Sequence, residues 1–210
     1  MLQDQERGEF GGERSNSARD MLLALGANLA SVVGSPVDSL RAALKMLSSN
    51  GVAIRAVSPL YSTPAFPAGN GPDYVNAAAR ISADMSPAAM LDLLHRIEGE
   101  MGRERLQRWG QRTLDLDLIA CDDMVLPDRE THAAWRNLPP EEQVQRTPER
   151  LILPHPRLQD RAFVLVPLAD VAPDWRHPVL NLTVLEMRDA LDPADLDAVR
   201  WLENSGATPL

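Results

Sequence analysis

Hydrophobic and polar positions alternate along this chain in two periods. Met21-Leu22-Leu23-Ala24-Leu25 reads as a buried strand that ends at the turn signal Gly26-Ala27-Asn28. Ser35-Pro36 opens a helix whose apolar stripe is Leu40, Ala43, Leu44 and Leu47, and Asn50-Gly51 stops it. Val52 to Tyr61 predicts a second strand, short of perfect alternation. Tyr74 to Ala83 predicts a third, with Tyr74, Asn76 and Ala78 on one face and Val75, Ala77 and Ala79 on the other. Ser86-Pro87 caps the next helix, which runs to about Met101 and Gly102. Its buried stripe is Met90, Leu94, Ile97 and Met101, with Leu91, His95 and Glu98 on a neighbouring face.

From Thr113 to Ala120 the alternation is strict. Leu114, Leu116, Leu118 and Ala120 fall on one face, and Thr113, Asp115, Asp117 and Ile119 on the other. After it comes a polar stretch, Asp128 to Glu149, in which Pro139-Pro140-Glu141-Glu142 opens a short helix. The stretch is expected to be an exposed excursion that leaves the core intact. Phe163 to Leu168 reads as a last buried strand and Leu182 to Leu191 as a final helix, with the acidic end past Asp192 peripheral. Residues 1–19 are polar and charged and read as a disordered tail. One domain over 20–180, with a polar insertion at about 128–149 and a C-terminal helix and tail over 181–210, accounts for the 210 residues.

The chemistry gathers around the strictly alternating strand. Asp115 and Asp117 point the same way, roughly 7 Å apart along the strand. Such a pair needs a counter-charge, and Mg²⁺ suits it, because that ion takes oxygen ligands and keeps substrate phosphates as partners. Just before the strand stand Arg103, Arg105, Arg108 and Arg112, with Trp109 among them. Guanidinium forks match phosphate oxygens bidentately. The plainer reading is a solvated face, since the chain favours arginine throughout and has one lysine, Lys45, among 21 basic residues. The arginines, the aspartates and Trp109 together favour a polyphosphate site.

Composition narrows the partners. The net charge of −9 argues against a nucleic-acid binder, which is usually basic. Cys121 is the one cysteine, so no intrachain disulfide or cysteine-based zinc site is possible, and a reducing compartment is expected. The apolar run Met21 to Val33 is too short to span a bilayer and is not read as a signal peptide. A cytoplasmic monomer acting on small molecules, with no membrane or nucleic-acid partner, is the expectation. Neither G-x-x-x-x-G-K-S/T nor G-x-G-x-x-G occurs, so any ATP is bound without a P-loop or a Rossmann turn. His95, His132, His155 and His177 show no metal-ligand spacing.

Four segments resemble the 6-hydroxymethyl-7,8-dihydropterin pyrophosphokinase family of folate biosynthesis. They are Leu25-Gly26-Ala27-Asn28-Leu29; Ser58 to Asn76; Arg96-Ile97-Glu98 through Gly102-Arg103 to Arg112-Thr113-Leu114-Asp115-Leu116-Asp117; and Pro154-His155-Pro156-Arg157-Leu158 through Arg161, Phe163 and Pro167-Leu168. The resemblance implies an α+β, ferredoxin-like fold, with a mostly antiparallel sheet and helices packed on it. It implies transfer of pyrophosphate from ATP to the dihydropterin hydroxymethyl group, giving AMP, with two Mg²⁺ ions on Asp115 and Asp117. Arg103 and Arg112 join those aspartates as the implied catalytic set. Implied ATP contacts are Glu98, Arg103, Arg105, Arg108, Trp109, Arg112, Arg150, Ile152, His155 and Arg161. The implied pterin pocket is Thr63, Pro64, Phe66, Tyr74, Asn76, Asp115 and Phe163. Departures from the family pattern are Ala27 for serine, Gln111 for proline, His95 for a frequent glutamine, and a longer connection over Asp128 to Glu149. The main rival is a two-metal nucleotidyltransferase, against which the absence of Gly-Ser before the acidic pair counts. A non-catalytic RNA-binding module of similar fold fits the acidic charge poorly.

Overall fold

The computed structural model describes residues 18–65, 71–102, 112–139, 142 and 145–202. Strand β1 (Arg19–Ala27) is followed by helix α1 (Pro36–Ser49), β2 (Ala53–Val57), β3 (Tyr61–Thr63), β4 (Tyr74–Ala83), helix α2 (Pro87–Glu100) and β5 (Asp115–Cys121). Then come α3 (Arg129–Arg136), a 3₁₀ turn at Leu158–Asp160, α4 (Ala162–Val171), α5 (Val184–Asp189), α6 (Pro193–Asp197) and β6 (Arg200–Trp201). The sheet runs β5-β1-β4-β3-β6, with β2 also paired to β4, and every pairing is antiparallel. This is the ferredoxin-like β-α-β-β-α-β order, with the second strand in two pieces.

Local chemistry accounts for the expected helices. Ser35 caps α1 in a reciprocal capping box with Asp38, and Pro36 occupies its first turn. Ser86 caps α2, and Gly102 follows its end at a φ of 81°. Leu40, Ala43, Leu44 and Leu47 of α1 and Met90, Leu94 and Ile97 of α2 pack on one face of the sheet with Leu23, Leu25 and Ile81. On the other face α4 and α5 bury Val164, Leu165, Leu168, Val184 and Met187 against Leu22, Ala78 and Ile119.

Five expectations need correction. The strand read over Val52 to Tyr61 breaks at Ser58-Pro59. Pro59 has no N–H for the ladder, but Ser58 bridges the gap: its N–H donates to the Ala78 carbonyl (2.9 Å), and its Oγ accepts from Ala78 N (2.9 Å). The register of β5 slips opposite Leu22/Leu23. Ala120 therefore packs with Ile119 on the α4 face, and Cys121 takes the place in the Leu114, Leu116 and Leu118 layer. Phe163 to Leu168 is helix, not strand. Ala162, Val164, Leu165, Pro167, Leu168, Ala169 and Val171 are all buried, so the run has no polar face to betray a helical period.

The other two corrections concern segments expected to be peripheral. Asp128 to Glu149 is not wholly an exposed excursion. Asp128 caps α3 by accepting from Thr131 N (2.8 Å), and His132 on that helix is 0% exposed. The short helix expected at Pro139-Pro140-Glu141-Glu142 lies partly outside the described residues. Past Asp192 the chain returns to the sheet. Strand β6 pairs with β3, and Leu202 N donates to the Leu60 carbonyl (3.0 Å). At the other end the first strand begins at Arg19, opposite Ala83; residues 1–17 of the expected tail lie outside the described residues. No helix among the described residues is long and apolar enough to cross a membrane.

His132 and His177 are fully buried and meet edge to face, with ring centroids 5.7 Å apart. Burial, the neighbouring His132 and Arg136 push the His177 pKa down to about 4, and burial first lowers that of His132 too. Unfolded histidines titrate near 6.5, so below that pH the unfolded chain takes up protons that the fold refuses. The stability this pair confers is complete above pH 6.5 and declines as pH falls towards 4. Urea midpoints measured from pH 7.5 to 4.5 should show that decline. His177→Asn, whose oxygen still accepts from the following turn, should flatten it.

Candidate functional site

The site is built where β1, β4 and β5 end together. Gly26 of β1 lies opposite Asn76 of β4 on one side and Asp115 of β5 on the other. Tyr61 of β3 continues the row beyond Asn76. A Cβ on Gly26 would meet Asn76 Oδ1 at 3.2 Å, so the missing side chain lets the asparagine lie across the strand. Asn76 is 5% exposed, and its Nδ2 donates to Thr63 Oγ1 (2.8 Å). This bond turns the rest of the amide towards the Gly26 gap. Tyr74 shares that strand face, and burial raises its pKa, with Arg112 and Asp115 as its charged neighbours.

Both aspartates are half-buried and each has a cationic partner. Arg112 Nη1 is ion-paired with Asp115. Arg161 Nη1 lies 3.9 Å from Asp117 Oδ2 and also stands over the Phe163 ring, 5.7 Å from its centroid. Burial lowers the Arg161 pKa, with Asp117 opposing it. Burial works against Arg112 as well, but there Asp115 outweighs it and the net shift is upward. Among the described residues no third histidine, cysteine or acid joins the two carboxylates in a cluster able to hold a metal. Two hard carboxylates with the rest of the coordination left open fit Mg²⁺, which usually takes one or two carboxylates plus water and substrate phosphate.

His155 sits beside this pair. Its N–H donates to the Ile119 carbonyl (2.8 Å), and its Nδ1 accepts from Arg157 N (3.1 Å). The proton is thereby placed on Nε2, free to donate outward. Burial, Arg161 and Arg157 push the His155 pKa down to about 3, so the ring is neutral at physiological pH.

Glu98 has a role that its position on a helix did not reveal. It is 1% exposed, while His95 on the face expected to be shared is exposed. Its Oε1 accepts from Leu116 N (2.8 Å), between the two aspartates. Strand β5 is a sheet edge, so the carboxylate occupies a backbone donor that has no strand beside it.

In the sequence Asn28 reads only as a turn residue. It is 4% exposed, and its side chain joins two loops: Nδ2 donates to the Pro72 carbonyl (3.1 Å), and Oδ1 accepts from Arg112 N (2.8 Å). The Asn28 and Leu29 N–H groups both donate to the Arg112 carbonyl (3.0 and 3.1 Å). Gly26 likewise reads only as punctuation. The available signal is an asparagine two residues past a glycine at the end of a central strand.

The structure thus brings together Thr63, Tyr74, Asn76, Arg112, Asp115, Asp117, His155, Arg161 and Phe163. Pro64 is exposed next to Thr63. Ile152 is buried and Arg150 exposed, both just ahead of His155. Phe66, Arg103, Arg105, Arg108 and Trp109 lie outside the described residues.

Residues 22–173 match the family model of 7,8-dihydro-6-hydroxymethylpterin-pyrophosphokinase. The chain belongs to this family. A Pseudomonas aeruginosa relative, 2-amino-4-hydroxy-6-hydroxymethyldihydropteridine pyrophosphokinase, is 41% identical over 158 residues, covering 74% of this chain and 82% of its own. The protein of the same name from Haemophilus influenzae is 38% identical over 157 residues, covering 74% and 83%. Among solved structures, wild-type Plasmodium falciparum HPPK-DHPS superposes with a TM-score of 0.59 at 17% identity. That match spans 84% of this chain and 45% of the longer one, and it shows the fold alone.

The Asn28 bridge generates a test. Asn28→Ala leaves Arg112 N–H and the Pro72 carbonyl without their partner. It should cost about 1–3 kcal/mol of stability and, by letting Arg112 drift, lower kcat roughly ten- to a hundredfold. Urea unfolding and steady-state kinetics measure the two. A destabilised variant with near-normal kcat would mean that Asn28 serves the fold and not the site.

Proposed function

We propose that the β1-β4-β5 end is a two-sided site, with a pterin wall on β4 and a nucleotide wall on β5 and the Pro154–Arg161 stretch. The activity is that of the family: transfer of pyrophosphate from ATP to the hydroxymethyl group of 6-hydroxymethyl-7,8-dihydropterin, in folate biosynthesis. The observation that carries the division is the row Asn76–Gly26–Asp115, which sets an amide with donor and acceptor beside a carboxylate, with no side chain between them.

On the pterin wall, Asn76 offers a heterocycle edge both hydrogen-bond types, with Thr63 fixing which way its amide points. Tyr74 and Phe163 supply flat apolar surface for the ring, and Pro64 and Phe66 complete the assignment. Asp115 reaches both walls. On the nucleotide wall, Arg112 and Arg161 carry charge towards the phosphates, and neutral His155 donates from Nε2. Arg103, Arg105, Arg108 and Trp109 are assigned to the same task, as are Arg150 and Ile152 at its rim. Glu98 serves the nucleotide through β5, by holding Leu116 and so the spacing of the aspartates.

In the reaction the pterin hydroxymethyl oxygen attacks the β-phosphorus of ATP. An O–Pβ bond forms, the bond from Pβ to the bridging oxygen breaks, and AMP departs with that oxygen. Asp115 and Asp117 would hold two Mg²⁺ ions, which would supply charge neutralisation and greater acidity of the attacking hydroxyl. The arginines hold the triphosphate in line and balance the charge that builds on the departing side; Arg103 and Arg112 are assigned that part. The hydroxyl proton passes to water. Arg112 and Arg161 also hold the two aspartates in place before substrate arrives. We infer a cytoplasmic monomer acting on small molecules, and the net charge of −9 argues against a nucleic-acid partner.

Product analysis tests the reading. Incubated with ATP, Mg²⁺ and the reduced pterin, the protein should release AMP; release of pyrophosphate would instead mark a nucleotidyltransferase. Asp115→Asn and Asp117→Asn should each fold normally and lose on the order of a thousandfold in turnover. The double variant should be little worse than either single one. Near-normal turnover in either single variant at ordinary Mg²⁺ would sink the metal assignment.

Asn76→Ala separates the two walls. It should weaken pterin binding by about tenfold or more while leaving ATP affinity nearly unchanged, as read by calorimetry with each ligand alone. The reverse pattern would place Asn76 on the nucleotide side.

A further inference from the structure

Among the described residues, helix α3 meets the rest of the protein through one buried polar contact, at the stretch assigned to the nucleotide. His132 is 0% exposed, and its Nε2 lies 3.0 Å from the carbonyl oxygen of Pro154. A carbonyl only accepts, so the proton of this imidazole sits on Nε2 and Nδ1 is left as a lone pair. Pro154 immediately precedes His155. The carbonyl that His132 holds belongs to the peptide group whose N–H, that of His155, donates to Ile119. One peptide plane is thereby pinned on both edges, from α3 on one side and from β5 on the other. The plane of that peptide sets the direction in which the His155 ring leaves the backbone.

A second ring backs the first. His177 accepts at Nδ1 from Val179 N (3.1 Å) and Leu180 N (3.2 Å), which puts its proton on Nε2. Among the described residues His177 Nε2 and His132 Nδ1 are both buried without a hydrogen-bond partner, and the two rings stand edge to face. One is a bare N–H and the other a bare lone pair, so the two tautomers are complementary. Arg129 Nη1 ties the start of α3 to the Pro178 carbonyl (3.2 Å) in the same turn as His177. The two rings therefore connect a C-terminal turn, α3 and the Pro154 carbonyl.

We propose that His132 is a positioning residue for ATP: it holds the Pro154–His155 peptide so that the His155 ring presents its Nε2 donor to the triphosphate. This rests on the assignment of His155 to the nucleotide wall. The helix that carries His132 lies in a segment whose composition gave it no place in the core, yet its one buried polar side chain supports the backbone of the site. Nothing in this role touches the pterin wall, so the two substrates respond differently to its loss.

The test uses the full chain and steady-state kinetics with ATP and the reduced pterin varied separately. His132→Asn places its amide where Nδ1 was and cannot reach Pro154; His132→Phe keeps the ring and removes the donor. His132→Gln carries an amide N–H₂ at about the reach of Nε2. Removing a buried hydrogen bond should raise the ATP KM about five- to fiftyfold in the Asn and Phe variants. In those variants the pterin KM and kcat should stay within about twofold, and Gln should restore the ATP KM. His155→Ala is measured alongside. If it raises the ATP KM while His132→Asn and His132→Phe do not, His132 merely packs α3 and the proposal is overturned. It is overturned equally if the ATP and pterin constants rise together, if Gln gives no rescue, or if neither donor-free variant folds. If His155→Ala itself leaves the ATP KM unchanged, the nucleotide assignment of His155 is what fails, and the positioning role falls with it.

Discussion

Everything at the site depends on β1 lying between β5 and β4 and stopping at the right residue. It pairs with β4 along one edge and β5 along the other, so the ends of all three strands are brought level by one ladder. The polar residues at those ends belong to segments distant in sequence, and the backbone register aligns them. Gly26 leaves the gap between them, and Asn28 then fastens Pro72 and Arg112 to the strand that has just ended. A slip by one residue would turn Asp115 and Asp117 into the α1 and α2 core and Leu116 outward. The leucines on the opposite face make that slip costly, and in this sense the hydrophobic layer specifies where the two aspartates point.

Charge at the site is balanced before any ligand arrives. Two carboxylates on one strand face repel, and partial burial strengthens the repulsion. Arg112 and Arg161 approach them from different parts of the chain, so each aspartate has its own partner. Phosphate oxygens can compete for those same guanidinium forks. His155 contrasts with them: it sits among cations and is held neutral, so it contributes a donor without adding charge.

Much of this was legible in the sequence, for identifiable reasons. The caps at Ser35 and Ser86 and the stripes of α1 and α2 follow local rules, and they appeared where the residues put them. The strand with Asp115 and Asp117 showed itself by strict alternation, because one of its faces is apolar throughout. Legibility failed where tertiary contact overrides pattern. The run Phe163 to Leu168 is buried nearly all round and so carries no period. The break at Ser58-Pro59 is masked because a serine side chain replaces the missing backbone link. Helix α3 is mostly polar, and nothing in its pattern marks His132 as the buried position that meets Pro154. Asn28 and Glu98 were ambiguous for another reason: each acts on backbone groups of a remote segment, and no single-sequence rule pairs them.

The order in which the strands occur along the chain differs from their order in the sheet. Strands β1, β2, β3 and β4, with α1, come from the first part of the chain, and they already hold the paired edges that present Asn76, Thr63 and Gly26. Strand β5 and the Pro154–Arg161 stretch arrive later, and β6 last of all. Loop-closure entropy makes long-range strand pairing slow, and a chain made from its N-terminus meets its early partners first. On a nascent polypeptide the part of the site that carries Gly26, Thr63 and Asn76 can therefore pair while β5 and the Pro154–Arg161 stretch are still being synthesised. During that interval the β5-facing edge of β1 is unpaired, an open row of backbone donors and acceptors that only the late arrival of β5 closes.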